Sequence, residues 1–330
     1  METAVEINGI KKFYNGKVKA LDGIDLRVGA GKVFAVLGPN GAGKTTLMRI
    51  LTTQIKPTSG DASIFGLDVM KDDSETRKLI SYVPQEMSVW TDISGYENLL
   101  IYAKIYGIPA GERKKLINGM LRTMGIESFA GSLVRNYSGG MIRRLEIACA
   151  LIIKPKILFL DEPTIGLDPS ARKTVWEKLM SFKDENGVTI FFNTHYMDEA
   201  DIYSDQIAIM NAGKIVKLGT AQELKHSLGG EIISFGIEGK ISAGAVKKIR
   251  GIKIVTGATA DENGLRVFAS DAGVALPRIT DILEKGGVYI KEVSIKKPTL
   301  DDVFLKYAGT KIETAERVTD IRYTRDRIKR

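Results

Sequence analysis

The 330-residue sequence predicts an α/β fold built on a phosphate-binding loop, with a smaller α+β unit after it, and three observations carry that expectation. The first is an apolar run at 33–37, then Gly38-Pro39-Asn40-Gly41-Ala42-Gly43-Lys44-Thr45, then a helix start at 46–51. Strand, glycine-rich loop and helix are the context that the phosphate-binding loop pattern G-x-x-x-x-G-K-[ST] requires. The second is 157–160, four apolar residues ending in Asp161-Glu162. Such a run fits a strand buried on both faces of a parallel sheet, with the carboxylates at the ligand-binding C-terminal end. The third is a change of rhythm after residue 228, where the order becomes β-α-β-β-α-β, the ferredoxin-like arrangement.

The loop chemistry follows from its residue types. Glycines let backbone N–H groups turn inward on a phosphate chain. The helix N-terminus adds partial positive charge. Lys44 is placed to reach the β- and γ-phosphates, and the Thr45 hydroxyl to bind Mg²⁺. A glycine-rich turn with a capping lysine is the plain alternative, and the strand–loop–helix context weighs against it.

Composition bounds the function classes. Hydrophobic residues make up 44 % of the chain, ordinary for a globular protein. No window approaches the roughly 18 apolar residues of a membrane span, and the acidic start of the chain is no secretory signal. The single Cys149 lies in an apolar run and reads as a buried thiol of a reducing compartment. The net charge of +8 suits nucleic acid or an anionic membrane surface and singles out neither.

In chain order, 3–10 and 24–28 read as strands, with Phe13 and Tyr14 between them as aromatics able to stack on a nucleobase or simply to sit in a hairpin. A turn at 56–60 precedes a short strand at 62–65, and 81–85 is a strand ending at Pro84, which puts Gln85 at a strand exit. Residues 93–135 carry helical spacing and read as a helical insertion, closed by Ser138-Gly139-Gly140 and a helix over 143–153. After the carboxylates come Gly166-Leu167-Asp168-Pro169, a helix over 170–186, and a strand at 188–193 that delivers His195. The segments 207–210 and 214–217 form a hairpin, and 221–228 a short helix. In the smaller unit, strands are read at 232–237, 252–256, 265–269 and 288–295, helices at 243–249 and 274–284, with a helix over 300–307 closing it. The last stretch has seven Lys/Arg against four Asp/Glu and reads as a basic tail. The expected division is 1–228 for the domain that holds the phosphate-binding loop, with a helical subdomain over about 93–150, then 229–308 for the accessory domain and 309–330 for the tail.

These motifs, in this order, resemble the ATP-binding subunit of an ABC transporter. Residues 38–46, through Thr46, match Walker A; 157–161 match Walker B, and Glu162 falls at the family's catalytic glutamate. Tyr137-Ser138-Gly139-Gly140-Met141 matches the signature, with Tyr and Met where Leu and Gln are commoner. Gln85 falls at the Q-loop, Asp168 at the D-loop and His195 at the switch histidine. The resemblance implies a P-loop ATPase core of ABC type, with ATP and Mg²⁺ as cofactors. Thr45, Gln85 and Asp161 would hold the metal, Glu162 would orient and deprotonate water, and His195 would sense the γ-phosphate. Tyr14 looks like the adenine-stacking aromatic, with Phe13 the alternative. Ser138, Gly139 and Gly140 would complete the site of a second copy in an ATP-dependent dimer.

Within the family the likeness is to the daunorubicin-resistance, drug-export branch, carried by 193–201 and 298–305. It implies a separately encoded membrane permease, a peripheral place on the cytoplasmic face of the membrane, contact through 85–98 with Trp90 either exposed or buried, and no nucleic-acid partner. The rival reading is a soluble ABC-type ATPase acting on ribosome or DNA, favoured by the basic tail and the net charge.

Overall fold

The structure, a computed structural model, describes residues 2–16, 18–238, 241–261 and 264–308; the basic tail read at 309–330 lies outside the described residues. The chain opens with the antiparallel pair β1 (Thr3–Tyr14) and β2 (Val18–Gly29), both longer than the sequence pattern predicts. The reason is bulging: the register shifts between Ile7 and Ile10, where Gly9 has φ 58°, and a bulge breaks the period-two alternation. The fully buried β3 (Val33–Leu37) leads through the phosphate loop into α1 (Lys44–Leu51). Strands β4 (Ser59–Ile64) and β5 (Leu67–Asp68) complete an antiparallel sheet of order β2-β1-β4-β5. Helix α2 (Asp73–Leu79), too short and polar for a periodic signal, precedes β6 (Ile80–Val83), which Pro84 ends.

Helices α3 (Gly95–Ile105) and α4 (Ala110–Thr123) form the helical insertion with α5 (Gly139–Leu151). A reciprocal Ser94–Glu97 capping box starts α3. Helix α5 begins earlier than its apolar pattern, because Ser138 caps it by accepting the Met141 N–H at 3.3 Å. Then come β7 (Ile157–Asp161), α6 (Pro169–Asn186), β8 (Thr189–Thr194), α7 (Met197–Tyr203), the hairpin of β9 (Gln206–Asn211) and β10 (Lys214–Gly219), and α8 (Ala221–His226).

The central sheet has the order β10-β9-β3-β8-β7-β6, parallel except for the edge strand β10. Its side chains alternate between two cores. Phe34, Val36, Phe159 and Phe191 meet α1 and the antiparallel sheet on one face. Leu37, Leu158, Leu160 and Phe192 meet the helical layer on the other.

The later unit comprises β11 (Glu231–Glu238), α9 (Ala243–Arg250), β12 (Val255–Asp261), β13 (Gly264–Ala269), α10 (Ala272–Lys285) and β14 (Tyr289–Lys296). Its sheet order β12-β13-β11-β14, with all neighbours antiparallel, is ferredoxin-like. Ile233, Phe235, Ile249, Ile279 and Leu283 form its own core. Helix α11 (Leu300–Ala308) departs from expectation. Rather than closing this unit, its apolar face of Leu300, Val303, Phe304 and Ala308 joins the ATPase-side core with Leu224 and Leu228. It lies against α7, α8 and β9, and Tyr307 and Lys306 bond Ser227, at its Oγ (3.1 Å) and carbonyl (3.2 Å) respectively. With α9 and α10 already covering the small core, the stripe finds its cover on the larger unit.

Candidate functional site

The phosphate loop leaves β3 at the C-terminal edge of the parallel sheet and wraps a cavity of about 720 Å³, within the ordinary range for small-molecule sites. Pro39, Asn40, Gly41, Ala42, Gly43, Lys44, Thr45 and Thr46 line it, together with Tyr14, Gln85, Glu162 and His195. Gly43 is required there: its φ is 102°, and a Cβ would stand 2.4 Å from the Ala20 carbonyl oxygen. Inside the loop the Lys44 ammonium donates to Gly38 O at 2.7 Å and Pro39 O at 3.3 Å. Burial lowers its pKa, against the opposing pull of the Glu162 and Asp161 charges. Tyr14, 38 % exposed, lines the cavity, and Phe13 does not.

Strand β7 ends at Asp161, with Glu162 the first residue past it, and both are buried. Asp161 receives the Tyr82 hydroxyl at 3.2 Å and lies 3.4 Å from Thr45 Oγ1. The Thr45 hydroxyl and the Gln85 amide, which line the cavity, and the Asp161 carboxylate beside Thr45, which does not, are hard oxygen donors of the kind that fits Mg²⁺, which keeps waters and shares its shell with phosphates. Glu162 turns left-handed, with φ 51°. A non-glycine residue there costs about 1–3 kcal/mol and persists only where its surroundings hold it. Its carboxylate sits 3.8 Å from Lys44 Nζ and 2.5 Å from His195 Nδ1.

Sequence reasoning misses what holds these groups. Arg143, buried in α5, donates to the carbonyls of Pro84 (2.8 Å), Asp161 (3.0 Å), Glu162 (3.3 Å) and Pro163 (2.6 Å) and pairs with Glu146 at 3.0 Å. Glu146 in turn takes the Ser88 N–H at 2.6 Å. One guanidinium thus ties the exits of β6 and β7 to α5. Glu199, whose pKa burial raises, accepts from Thr164 and from Thr194, the latter at 3.1 Å, joining the segment after Glu162 to the end of β8. The only sequence signal is a charged pair at i,i+3 on an otherwise apolar helix face.

Ser138, Gly139, Gly140 and Asp168 do not line the cavity. Ser138 caps α5, and Asp168 caps α6, accepting from Ser170 and Ala171 at 3.0 Å each. The unusual Tyr137 is buried, its hydroxyl donating to Phe129 O at 2.7 Å. Gly95 makes its room, since a Cβ there would be 2.3 Å from that hydroxyl.

Comparison with known proteins gives the family. The family profile described as ABC transporter matches residues 21–165, and the ATP-binding protein DrrA1-3-like C-terminal domain matches 219–308. The chain is 37 % identical to the daunorubicin resistance ATP-binding protein DrrA3 of Streptomyces coeruleorubidus, over 93 % of this chain and 96 % of that protein. It is 34 % identical to the doxorubicin resistance ATP-binding protein DrrA of Mycobacterium tuberculosis, over 92 % and 93 % respectively. Among solved structures it resembles an ATP-binding subunit of an ABC transporter, with TM-score 0.62 and 27 % identity over 69 % of this chain and 94 % of that one. It also resembles the dimeric ATP-binding cassette MJ0796 in a post-hydrolysis state bound to ADP and Pi, with TM-score 0.60 and 26 % identity over 66 % of this chain and 98 % of that one. The chain belongs to the ABC transporter family, as an ATP-binding and ATP-hydrolysing subunit resembling the daunorubicin-resistance type.

Proposed function

We propose that this chain drives export of drugs or other hydrophobic compounds through a separately encoded membrane permease, as an ATP-dependent homodimer on the cytoplasmic face of the membrane. The observation that carries the reading is the convergence of Lys44, Thr45, Gln85, Glu162 and His195 on one cavity, in a chain whose relatives are named for daunorubicin and doxorubicin resistance. Among the described residues no helix is long and apolar enough to cross a membrane. Met87 and Trp90 on the segment after Gln85, and Ile105 and Tyr106 at the C-terminal end of α3, are exposed apolar side chains that would offer the permease docking surface.

In this reading the loop amides 39–46 and Lys44 hold the phosphates, and Tyr14 stacks on the adenine. Thr45, Gln85 and Asp161 hold Mg²⁺, which when bound neutralises charge on the phosphate oxygens. Glu162 takes the proton from the attacking water. His195, with Nδ1 against Glu162, has its other ring nitrogen to offer the γ-phosphate. Ser138, Gly139 and Gly140 at the start of α5, and Asp168, face the nucleotide of the second copy. The ATPase unit is 1–228 with α11 returning to it, and the ferredoxin-like unit is the accessory domain.

The test is a pull-down of the tagged Glu162→Gln variant with ATP from detergent-solubilised native membranes. A multi-span protein that stays bound at high salt is the expected result. Ribosomal or DNA-bound material released as salt rises would replace this reading with the soluble rival. Hydrolysis at the unmodified rate by that variant would remove Glu162 as the base.

A further inference from the structure

The backbone of Glu162 needs an external hold, because a left-handed φ of 51° is uncommon outside glycine. On its N–H side that hold is Asn193. The Glu162 N–H donates to Asn193 Oδ1 at 2.8 Å and to the Asn193 main-chain oxygen at 3.2 Å. The second contact is what the strand pairing of Asp161 with Asn193 would give with any residue. The first is specific to this side chain.

Asn193 is a costly residue to keep there. It is 0 % exposed, in a strand otherwise made of Thr189, Ile190, Phe191, Phe192 and Thr194. Its register partners are Val36 and Asp161, and it shares their sheet face with Phe191, so an apolar side chain would pack there. Its Nδ2 has no protein partner among the described residues. A buried amide left half-satisfied calls for an explanation, and the bond to the Glu162 peptide supplies one.

We propose that Asn193 is a positioning residue for ATP hydrolysis: its side-chain carbonyl fixes the Glu162 peptide in the left-handed turn and so keeps the carboxylate aimed between Lys44 and His195. The inference rests on Glu162 being the general base. It concerns the hydrolytic step and leaves nucleotide binding to the phosphate loop.

The experiment compares the full chain with Asn193→Leu, which keeps the branched four-atom skeleton and loses the acceptor, and Asn193→Ser, whose hydroxyl is too short to replace it. Steady-state ATP hydrolysis and equilibrium nucleotide binding are measured on each, with Glu162→Gln and the Asn193→Leu/Glu162→Gln double variant alongside. The expected result is a fall in kcat of at least fivefold in whichever single variants fold, with nucleotide Kd within twofold of the unmodified chain. The double variant should hydrolyse no more slowly than Glu162→Gln, since a residue acting through Glu162 has nothing left to position. A smaller fall in kcat, a Kd that weakens in step with kcat, or additive losses in the double variant would overturn the proposal. Failure of the base itself reads differently: Glu162→Gln then hydrolyses at the unmodified rate, and the Asn193 proposal goes with it.

Discussion

Burial makes the Lys44 ammonium easier to deprotonate than that of an exposed lysine, and the Asp161 and Glu162 carboxylates only partly oppose this. A triphosphate is recognised by the charged form. Binding above the lowered pKa must therefore take up a proton, and ATP affinity is expected to weaken with rising pH before the ordinary lysine range is reached. Lys44→Arg keeps its charge throughout, so its affinity, even if lower, should be flat over the same interval. Lys44→Ala should lose at least tenfold in affinity, by the rule that about 1.4 kcal/mol is tenfold. Fluorescent-nucleotide titrations across pH measure all three, and an unmodified chain with a flat profile would remove the buried ammonium from the account. Lys44, Thr45, Asp161 and Glu162 are legible in the sequence because their chemistry lies in side-chain types at fixed spacing. Arg143 and Asn193 are not, because they act on main-chain carbonyls and N–H groups, which leave no trace in the residue pattern.

Helix α5 shows the same contrast one level up. Its existence is readable from periodicity, but its cargo is a buried Arg143–Glu146 pair that joins it to the strand exits around the cavity. Breaking one partner of such a pair leaves an uncompensated charge and costs about 3–5 kcal/mol, whereas replacing both with apolar groups costs less. Arg143→Met should therefore lower stability to denaturant by that amount, and Arg143→Met/Glu146→Leu should recover about half of it. The recovery is partial because the Ser88 N–H then loses its acceptor. Hydrolysis should recover in neither, since the carbonyls of Asp161 and Glu162 have lost their donor in both. A double variant no more stable than the single one would show that the pair's charge is not the issue. Short elements escape the sequence for a different reason. Helices α2 and α7 have seven residues each, two turns, too few for an apolar stripe to declare itself.

Over the whole molecule, the order of units along the chain and the order of packing in space diverge at α11. An amphipathic stripe states that a helix is covered, and by itself never by what, so the sequence places α11 with the neighbour it follows and the structure places it on the ATPase core. The divergence makes the two ways of removing the accessory unit unequal. A chain ending at Gly229 loses Leu300, Val303 and Phe304 from that core and leaves Leu224 and Leu228 facing solvent. At about 1.5–3 kcal/mol for each fully buried large side chain, and roughly 2–4 °C per kcal/mol for a domain of this size, its melting midpoint should fall by more than about 10 °C. Excising 230–298 and joining Gly229 to Thr299 keeps α11. The nine residues of α11 span about 13 Å, and its last turn is anchored at Ser227, so the linker must return roughly that distance. Eight Gly/Ser residues reach about 16 Å in root-mean-square terms. That chain should melt within about 5 °C of the intact ATPase transition, a shift worth no more than about 2.5 kcal/mol. Equal midpoints for the two deletions would mean that α11 contributes nothing to the core it occupies, and differential scanning calorimetry on the pair decides it.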